Sequence, residues 1–305
     1  MTLSKIVKIA SNKEKFLTLK DYIGFCKSYL EVIADGLQAV IISQNENHYR
    51  FYQYKKDGHF NITRPINSNL MYEFSDVSTI EKEFLKILHS VRDIPANDKH
   101  NRELIRRGIY TVQQSIGAAL DALPAGASNI ARKVNGDLFE RFIQLLIKEI
   151  GVKCKTGTVQ VPVYLNNELQ FHMSYQHDLL LYNNDDLKVI GSVKTSSKDR
   201  IDKIFLDKFL YCKLTNTMLP HIAIFLNDVQ RKNSKRQDEY GINATFLPGH
   251  FKAFTVKLNP LDGVYYCDIR PNMETDDLLK KHIRTIDHFF CSDIWSFIES
   301  SRLII

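Results

Sequence analysis

The chain has 305 residues, of which 44% are hydrophobic and 25% charged, and its formal net charge is +6. This composition is typical of a globular protein with one large or two smaller domains, and it excludes a disordered chain. The sequence contains no apolar run of about 18 residues, so it predicts no membrane span. Five scattered cysteines without close spacing predict reduced thiols and a cytoplasmic protein, and the lysine-containing N-terminus does not have the pattern of a secretory signal.

Residues 1–95 are predicted to form a small N-terminal α+β domain. A helical pattern covers residues 19–37, and alternating strands follow at 39–43, 49–56 and 59–64. A second amphipathic helix is predicted at 78–93. The proline and polar residues of 94–101 then indicate a linker.

Residues 96–305 are predicted to form an α/β domain with a central mixed sheet flanked by helices. Helices are expected at 102–123, 135–151, 201–216 and 275–300. The predicted strands are residues 157–165, 169–175, 178–182, 187–193, 221–226, 251–258 and 263–269.

The chemistry is concentrated in one predicted hairpin, HDLLLYNNDDLKVIGSVK, which spans residues 177–194. A turn-forming NNDD separates its two apolar strands. If the turn centres near Asp185, Asp178 lies opposite Ser192, and Ser192 and Lys194 share one face of the sheet. A carboxylate beside a lysine at a sheet edge suits metal-assisted phosphodiester hydrolysis.

Mg²⁺ is usually held by one or two carboxylates together with substrate oxygens, so a second acidic residue is expected close by. Ser192 cannot supply it. Asp207, on the second turn of the helix predicted at 201–216, is the leading candidate, and Asp202 at the start of that helix is the alternative. An ordinary surface aspartate on an amphipathic helix is the competing interpretation of Asp207.

The order Asp178, Ser192, Lys194, Asp207 resembles the PD-(D/E)xK nucleases, in particular the type II restriction endonucleases that recognise CCGG or CCNGG. In that branch the carboxylate before x-Lys is replaced by serine or alanine, and an acidic residue of the next helix takes its place. The segment ARKVNGDLFERF resembles the first core helix of the family. The resemblance covers about residues 105–230 and implies that Glu140 is a further metal ligand.

The resemblance also implies a DNA-recognition triplet at Lys198, Asp199 and Arg200. Arginine and lysine donate to guanine O6 and N7 in the major groove, and aspartate accepts from cytosine N4. The region from Lys188 to Arg236 carries eleven Lys/Arg against four Asp/Glu, a local charge of +7, which suits a phosphate-rich partner.

The function implied by the resemblance is Mg²⁺-dependent cleavage of both strands of double-stranded DNA, leaving 5′ overhangs at a palindrome with a CCGG or CCNGG core. The enzyme would be a homodimer or a tetramer in a bacterial or archaeal cytoplasm. A cognate DNA methyltransferase would belong to the same system without binding it physically. The alternatives are a repair or structure-specific nuclease of the same superfamily and a catalytically dead DNA-binding protein.

Overall fold

The computed structural model describes residues 1–56, 59–77, 80–124, 126–232 and 239–300. The chain divides into two compact units. Unit 1 comprises residues 1–90, 99–145 and 228–245, and unit 2 comprises residues 91–98, 146–227 and 246–305. A compact unit is not a test of independent folding, so the domain boundary expected between residues 95 and 96 stays a prediction.

The helices and strands of the described chain are numbered here in chain order. The α-helices are α1 (Leu3–Ala10), α2 (Leu19–Gly36), α3 (Leu85–Leu88), α4 (Lys99–Leu120), α5 (Ser128–Glu149), α6 (Ile201–Thr215), α7 (Pro248–Lys257), α8 (Pro271–Thr275), α9 (Leu279–His282), α10 (Ile286–His288) and α11 (Ile294–Glu299). Short 3₁₀ or π-helical turns are Lys13–Lys15, Phe74–Asp76, Ile80–Phe84, Val91–Asp93 and Phe289–Asp293. The strands are β1 (Ala39–Ile42), β2 (Tyr49–Lys56), β3 (His59–Ile62), β4 (Ile66–Asn67), β5 (Lys153–Leu165), β6 (Glu168–Asn183), β7 (Asp186–Ser196), β8 (His221–Asn227), β9 (Val229–Arg231), β10 (Ile242–Ala244), β11 (Gly263–Tyr266) and β12 (Ile283–Thr285).

Unit 1 combines helices with a small antiparallel sheet, in agreement with the predicted α+β character of the N-terminal residues. The helix α2 begins at a capping box, in which the Thr18 hydroxyl accepts from the Asp21 N–H and the Asp21 carboxylate accepts from the Thr18 N–H. In the sheet, β2 pairs with β1, β3 and β4. The interior residues of α4 are buried almost throughout the helix, which therefore forms the core of this unit.

Unit 2 contains the six-stranded sheet, in the order β12-β11-β8-β7-β6-β5. The pairs β5–β6 and β6–β7 are antiparallel, whereas β7, β8, β11 and β12 run parallel to one another. The helices α6 and α7 pack through Phe205 and Phe251 on the face that carries Phe225, and Phe289 packs against Tyr265 on the opposite face. The predicted α/β class with a mixed central sheet flanked by helices is confirmed.

The strand predicted at 251–258 is wrong, because this segment lies in α7. Its apolar residues are spaced for either structure. Pro248 occupies the first turn, where a proline is tolerated, and Phe251 and Thr255, four residues apart, are buried on one helix face. Val256, which strand alternation would bury, is exposed.

Two other predictions need correction. The C-terminal helix expected over 275–300 is interrupted by β12, because Ile283 is buried where it pairs with Val264 at the end of the parallel sheet. The two strands expected at 169–175 and 178–182 are one continuous strand, β6. All five cysteines are free, and no helix among the described residues is both long and apolar enough to span a bilayer.

Candidate active site

The predicted hairpin around residue 185 is present and sets the register of the site. The strands β6 and β7 pair from Asn183–Asp186 to Leu179–Gly191. Asn184 adopts a positive φ of 52° in the two-residue turn, a conformation that asparagine tolerates better than most residues. Continuing this register by one residue sets Asp178 beside Ser192, as the sequence predicts.

A β-bulge lies at Asp178 on the other side of the strand. Lys155 of β5 pairs with Leu180, and Gly157 pairs with His177. Between these two pairs β6 therefore advances by three residues and β5 by two. A bulge of this kind re-aims one side chain out of the regular alternation. The regular alternation of side chains along β6 is therefore interrupted next to Asp178.

The carboxylate of Asp178 contacts both the backbone and a side chain of β7. Its Oδ2 accepts the Val193 backbone N–H at 2.8 Å and the Lys194 Nζ at 2.6 Å. The two side chains are 17% and 28% exposed, so the ion pair is partly screened from water and yet open to a ligand. The backbone contact holds the carboxylate in place, because the Val193 N–H is itself fixed in the central sheet.

The strand β7 has neighbours on both sides at this point, which makes the lysine well supported. Ser192 and Lys194 pair with Ala223 and Phe225 of the parallel strand β8. Ser192 is partly buried and supplies a hydroxyl where a second carboxylate could have stood. The structure thus brings Asp178, Ser192 and Lys194 together.

Asp207 lies on the partly buried side of α6 and forms an ion pair with Lys203, one turn earlier. Its charge raises the pKa of Tyr175, although burial of that phenol has the larger effect in the same direction. Burial lowers the pKa of His177, and the charges of Asp207 and Asp178 oppose that effect. Both carboxylates therefore favour the protonated form of the same imidazole.

The alternative residue, Asp202, has a different environment. It is half exposed, and its carboxylate lies 3.8 Å from Nδ1 of His250. Because pairs between exposed groups contribute little, Asp202 is held only weakly. Position therefore favours Asp207 as the helix carboxylate.

Glu140 lies on α5, in the part of that helix that belongs to unit 1, and is partly buried. The residues beside it fix the helix locally. Arg141 donates to the carbonyls of Lys13 and Phe16, and Tyr22 donates to the Leu138 carbonyl. The assignment of Glu140 as a metal ligand stays a prediction.

The triplet Lys198, Asp199 and Arg200 forms an exposed loop between β7 and α6. Asp199 has a positive φ of 55°, and the backbone N–H of Arg200 donates to the Ser197 carbonyl. This turn separates the three recognition candidates from Lys194, which lies only a few residues earlier in the chain.

A cluster of buried polar rings on β6 and β8 was missed by the sequence analysis. The rings of Tyr175, His177 and His221 follow one another with centroids 6.0 and 6.4 Å apart. Their buried Tyr175 Oη, His177 Nε2 and His221 Nε2 have no hydrogen-bond partner among the described residues. Burial lowers the pKa of His221 to about 3, so both histidines are neutral near pH 7.

The potential metal ligands of this site are carboxylates and an imidazole. In the described part of the chain, no group of three or more His, Cys, Asp or Glu side chains converges as a metal site. Asp178 and Asp207 nevertheless have the chemistry that Mg²⁺ requires, because this ion commonly uses one or two protein carboxylates and takes its other ligands from water and phosphate. The residues present thus fit a magnesium ion that is held partly by its substrate.

Among solved structures, the chain is similar to the crystal structure of the type IIP restriction endonuclease Kpn2I, with a TM-score of 0.72 and 16% identity over 99% of both chains. It also matches the complex of the restriction endonuclease PspGI with substrate DNA, at a TM-score of 0.41 and 12% identity over 72% of this chain and 92% of that one. No protein-family model matches the chain, and no curated protein matches it in sequence. The similarity to Kpn2I shows that the chain has a restriction-endonuclease fold.

Proposed function

We propose that the chain is a type II restriction endonuclease that hydrolyses both strands of a palindromic DNA site with a CCGG or CCNGG core. The observation that carries the proposal is the Asp178–Lys194 pair, with 2.6 Å between Oδ2 and Nζ, at the junction of β6 and β7. The restriction-endonuclease fold supports this function, and the local excess of basic residues from Lys188 to Arg236 supports a nucleic-acid partner.

Lys194 is the proposed catalytic lysine. Asp178 keeps its ammonium group at one position, where it can orient an attacking water or neutralise the charge that develops on a phosphate. The sheet fixes both residues before substrate arrives, which lowers the cost of arranging them in the transition state. Ser192 on β7 has a short side chain and therefore leaves room beside the pair.

Mg²⁺ would be held by Asp178 and Asp207, with Glu140 completing the set, and would supply Lewis-acid stabilisation of the phosphate and an activated water. Lys203 is the present partner of Asp207, and it is largely exposed. Because such exposed pairs are weak, Lys203 can release the carboxylate at small cost.

Recognition is assigned to Lys198, Asp199 and Arg200. In the major groove, Lys198 and Arg200 would each donate to a guanine, and Asp199 would accept from cytosine amino groups. A homodimer, or a tetramer of two such dimers, would read the two halves of a palindrome. The cut would fall at the 5′ side of the core, and a cognate methyltransferase would protect the cytoplasmic DNA of the host.

Digestion of plasmid DNA with Mg²⁺ tests the function directly. We expect discrete bands whose sequenced ends share a CCGG or CCNGG core with 5′ overhangs. Random nicking would instead support a repair or structure-specific nuclease, and binding without cleavage would support a catalytically inactive DNA-binding protein.

A further inference from the structure

A long hairpin in unit 2 carries its apolar face out into solvent. Residues 156–176, the outer parts of β5 and β6 with the turn between them, are called the hairpin arm. Cross-strand partners share a face, so Val161 pairs with Met173 and Val163 with Phe171 on one continuous apolar strip. Val161 is buried under α6, whereas Phe171 is 58% exposed, so the strip extends beyond the helix that covers it.

The tip of the hairpin arm is apolar on both faces. A register irregularity after Val163 changes the alternation, and Tyr164 then pairs with Leu169. Both of these side chains are half or more exposed, and Leu165 beside them is 63% exposed. A cluster of large exposed hydrophobic side chains of this kind marks an interaction surface rather than ordinary surface scatter.

The charge of the hairpin arm selects the class of partner. Glu168 is its only Asp, Glu, Lys or Arg, although the whole chain has a net charge of +6. DNA phosphates are bound mainly by lysine and arginine, so a surface without these residues is poorly suited to binding DNA. Two copies of a basic chain repel each other over most of their surface, and a neutral arm lets them meet at the lowest electrostatic cost.

The geometry and the exposed area also suit a second copy. The strand β5 is the last strand of its sheet and leaves one edge of the arm unpaired with any other strand of that sheet. A two-fold axis pairs identical surfaces, so an apolar arm is complementary to itself. Four half-exposed large side chains offer on the order of 400 Å² per copy, which is below the range of stable interfaces and therefore predicts a weak dimer that dissociates on dilution.

We propose that the hairpin arm is the contact through which two copies of this chain associate about a two-fold axis. The choice of a second copy rests in part on the proposed function, since cutting both strands of a palindrome requires two active sites. The arm includes the outer part of β6, the strand that also carries Asp178. Contact between two arms would therefore fix the orientation of one catalytic strand relative to the other.

Sedimentation equilibrium without DNA, across the micromolar range, tests this contact independently of cleavage. We expect the wild-type protein to dimerise and Leu165→Asp or Phe171→Asp to raise the dissociation constant about 100-fold or more, because each dimer would then bury two charges in an apolar contact. The matched control is Ile130→Asp, which places the same charge at a 62% exposed position in the first turn of α5 and leaves the dimer intact.

Hydrogen exchange of the wild-type protein at low and high concentration gives a second measurement that does not depend on the folding of any variant. Protection that rises with concentration in residues 158–171 supports the proposal. A wild-type protein that stays monomeric throughout, or arm variants that dimerise like the control, would overturn it. A protein that dimerises through the arm and cuts no DNA would refute the proposed function and leave this contact standing.

Discussion

The strand end that holds Lys194 and the loop that holds Arg200 are separated by only a few residues, yet they are built differently. Lys194 is partly buried, hydrogen-bonded to Asp178 and supported by β8. Asp199 and Arg200 are exposed, and neither side chain forms an ion pair within the described residues. The proposed catalytic residues are therefore held by the sheet, whereas Asp199 and Arg200, if they recognise DNA as proposed, would gain their geometry from it.

This difference matters because the two tasks have different requirements. Hydrolysis needs a charge held at a defined position while the transition state forms, and a rigid sheet supplies that. Reading base edges needs unsatisfied donors and acceptors that pair only with the correct site, and an exposed loop supplies those. Variants at the strand end should therefore change rate, and variants in the loop should change site preference.

The largest effect is expected at the strand end. Lys194→Ala should lower the cleavage rate about 10⁴-fold, because the lysine that Asp178 fixes would be lost, and should preserve specific binding. Single-turnover cleavage and a gel-shift assay on one oligonucleotide duplex measure the two properties. Lys203→Ala, which removes another paired but largely exposed lysine, is the control and should stay within a few-fold of wild type. Full activity in Lys194→Ala would remove the active site proposed here.

The helix carboxylate should give the next largest effect. Asp207→Asn should reduce the rate about 10³-fold, since losing a metal-binding charge costs several kcal/mol of transition-state stabilisation. Asp202→Asn is the matched control, because Asp202 lies on the same helix and is exposed beside His250. Cleavage rates over a Mg²⁺ titration separate them, and a defect confined to Asp202→Asn would show that the helix carboxylate is misassigned.

In the loop, Arg200→Ala should weaken binding to the specific site about 100-fold and leave binding to unrelated DNA almost unchanged. A bidentate contact to guanine contributes about 1–3 kcal/mol, and a dimer would lose two such contacts. Competition gel shifts with specific and random duplexes measure the ratio. Arg200→Lys keeps the charge and loses the planar fork, so it should fall between the two. Cleavage of CCGG or CCNGG sites that survives in Arg200→Ala would contradict the recognition assignment.

The sequence predicted the hairpin around Asp185 because its signals are local: a turn-forming NNDD between two apolar runs. The start of α6 was predicted for the same reason. The bulge at Asp178 was not predicted, because it depends on how Gly157 of the neighbouring strand β5 pairs with His177. Tertiary pairing of this kind leaves no trace in periodicity.

The prediction at 251–258 was wrong for a related reason. Alternation of apolar residues was read as a strand, while packing of Phe251 against Phe205 stabilises a helix there. The site residues Asp178, Ser192 and Lys194 came from the hairpin register together with the family resemblance. The buried rings of His177 and His221 could not be found, because an isolated histidine in an apolar strand carries no signal of its neighbours.

The smallest predicted effect concerns the buried ring of His221, which should influence stability, whereas residues of the exposed loop should not. His221 has a pKa of about 3 when folded, against about 6.5 when unfolded, so its ring is neutral in both states above pH 6.5. As pH falls below 6.5, the unfolded chain takes up a proton that the folded chain refuses, and the free energy of unfolding decreases until the folded pKa is reached. Between pH 6.5 and pH 5 the loss from this residue should be about 2 kcal/mol.

His221→Asn keeps a donor near Nδ1, which lies 2.8 Å from the Leu219 carbonyl, and removes the titrating ring. Urea unfolding over this pH range should show a shallower loss of stability in the variant, with the remaining slope in part from His177, whose pKa burial also lowers. Arg200→Ala in the loop removes no group that titrates in this pH range and should keep the wild-type slope. A wild-type slope in His221→Asn would mean that this buried ring does not cause the loss of stability at acid pH, and that its pKa is not lowered by folding.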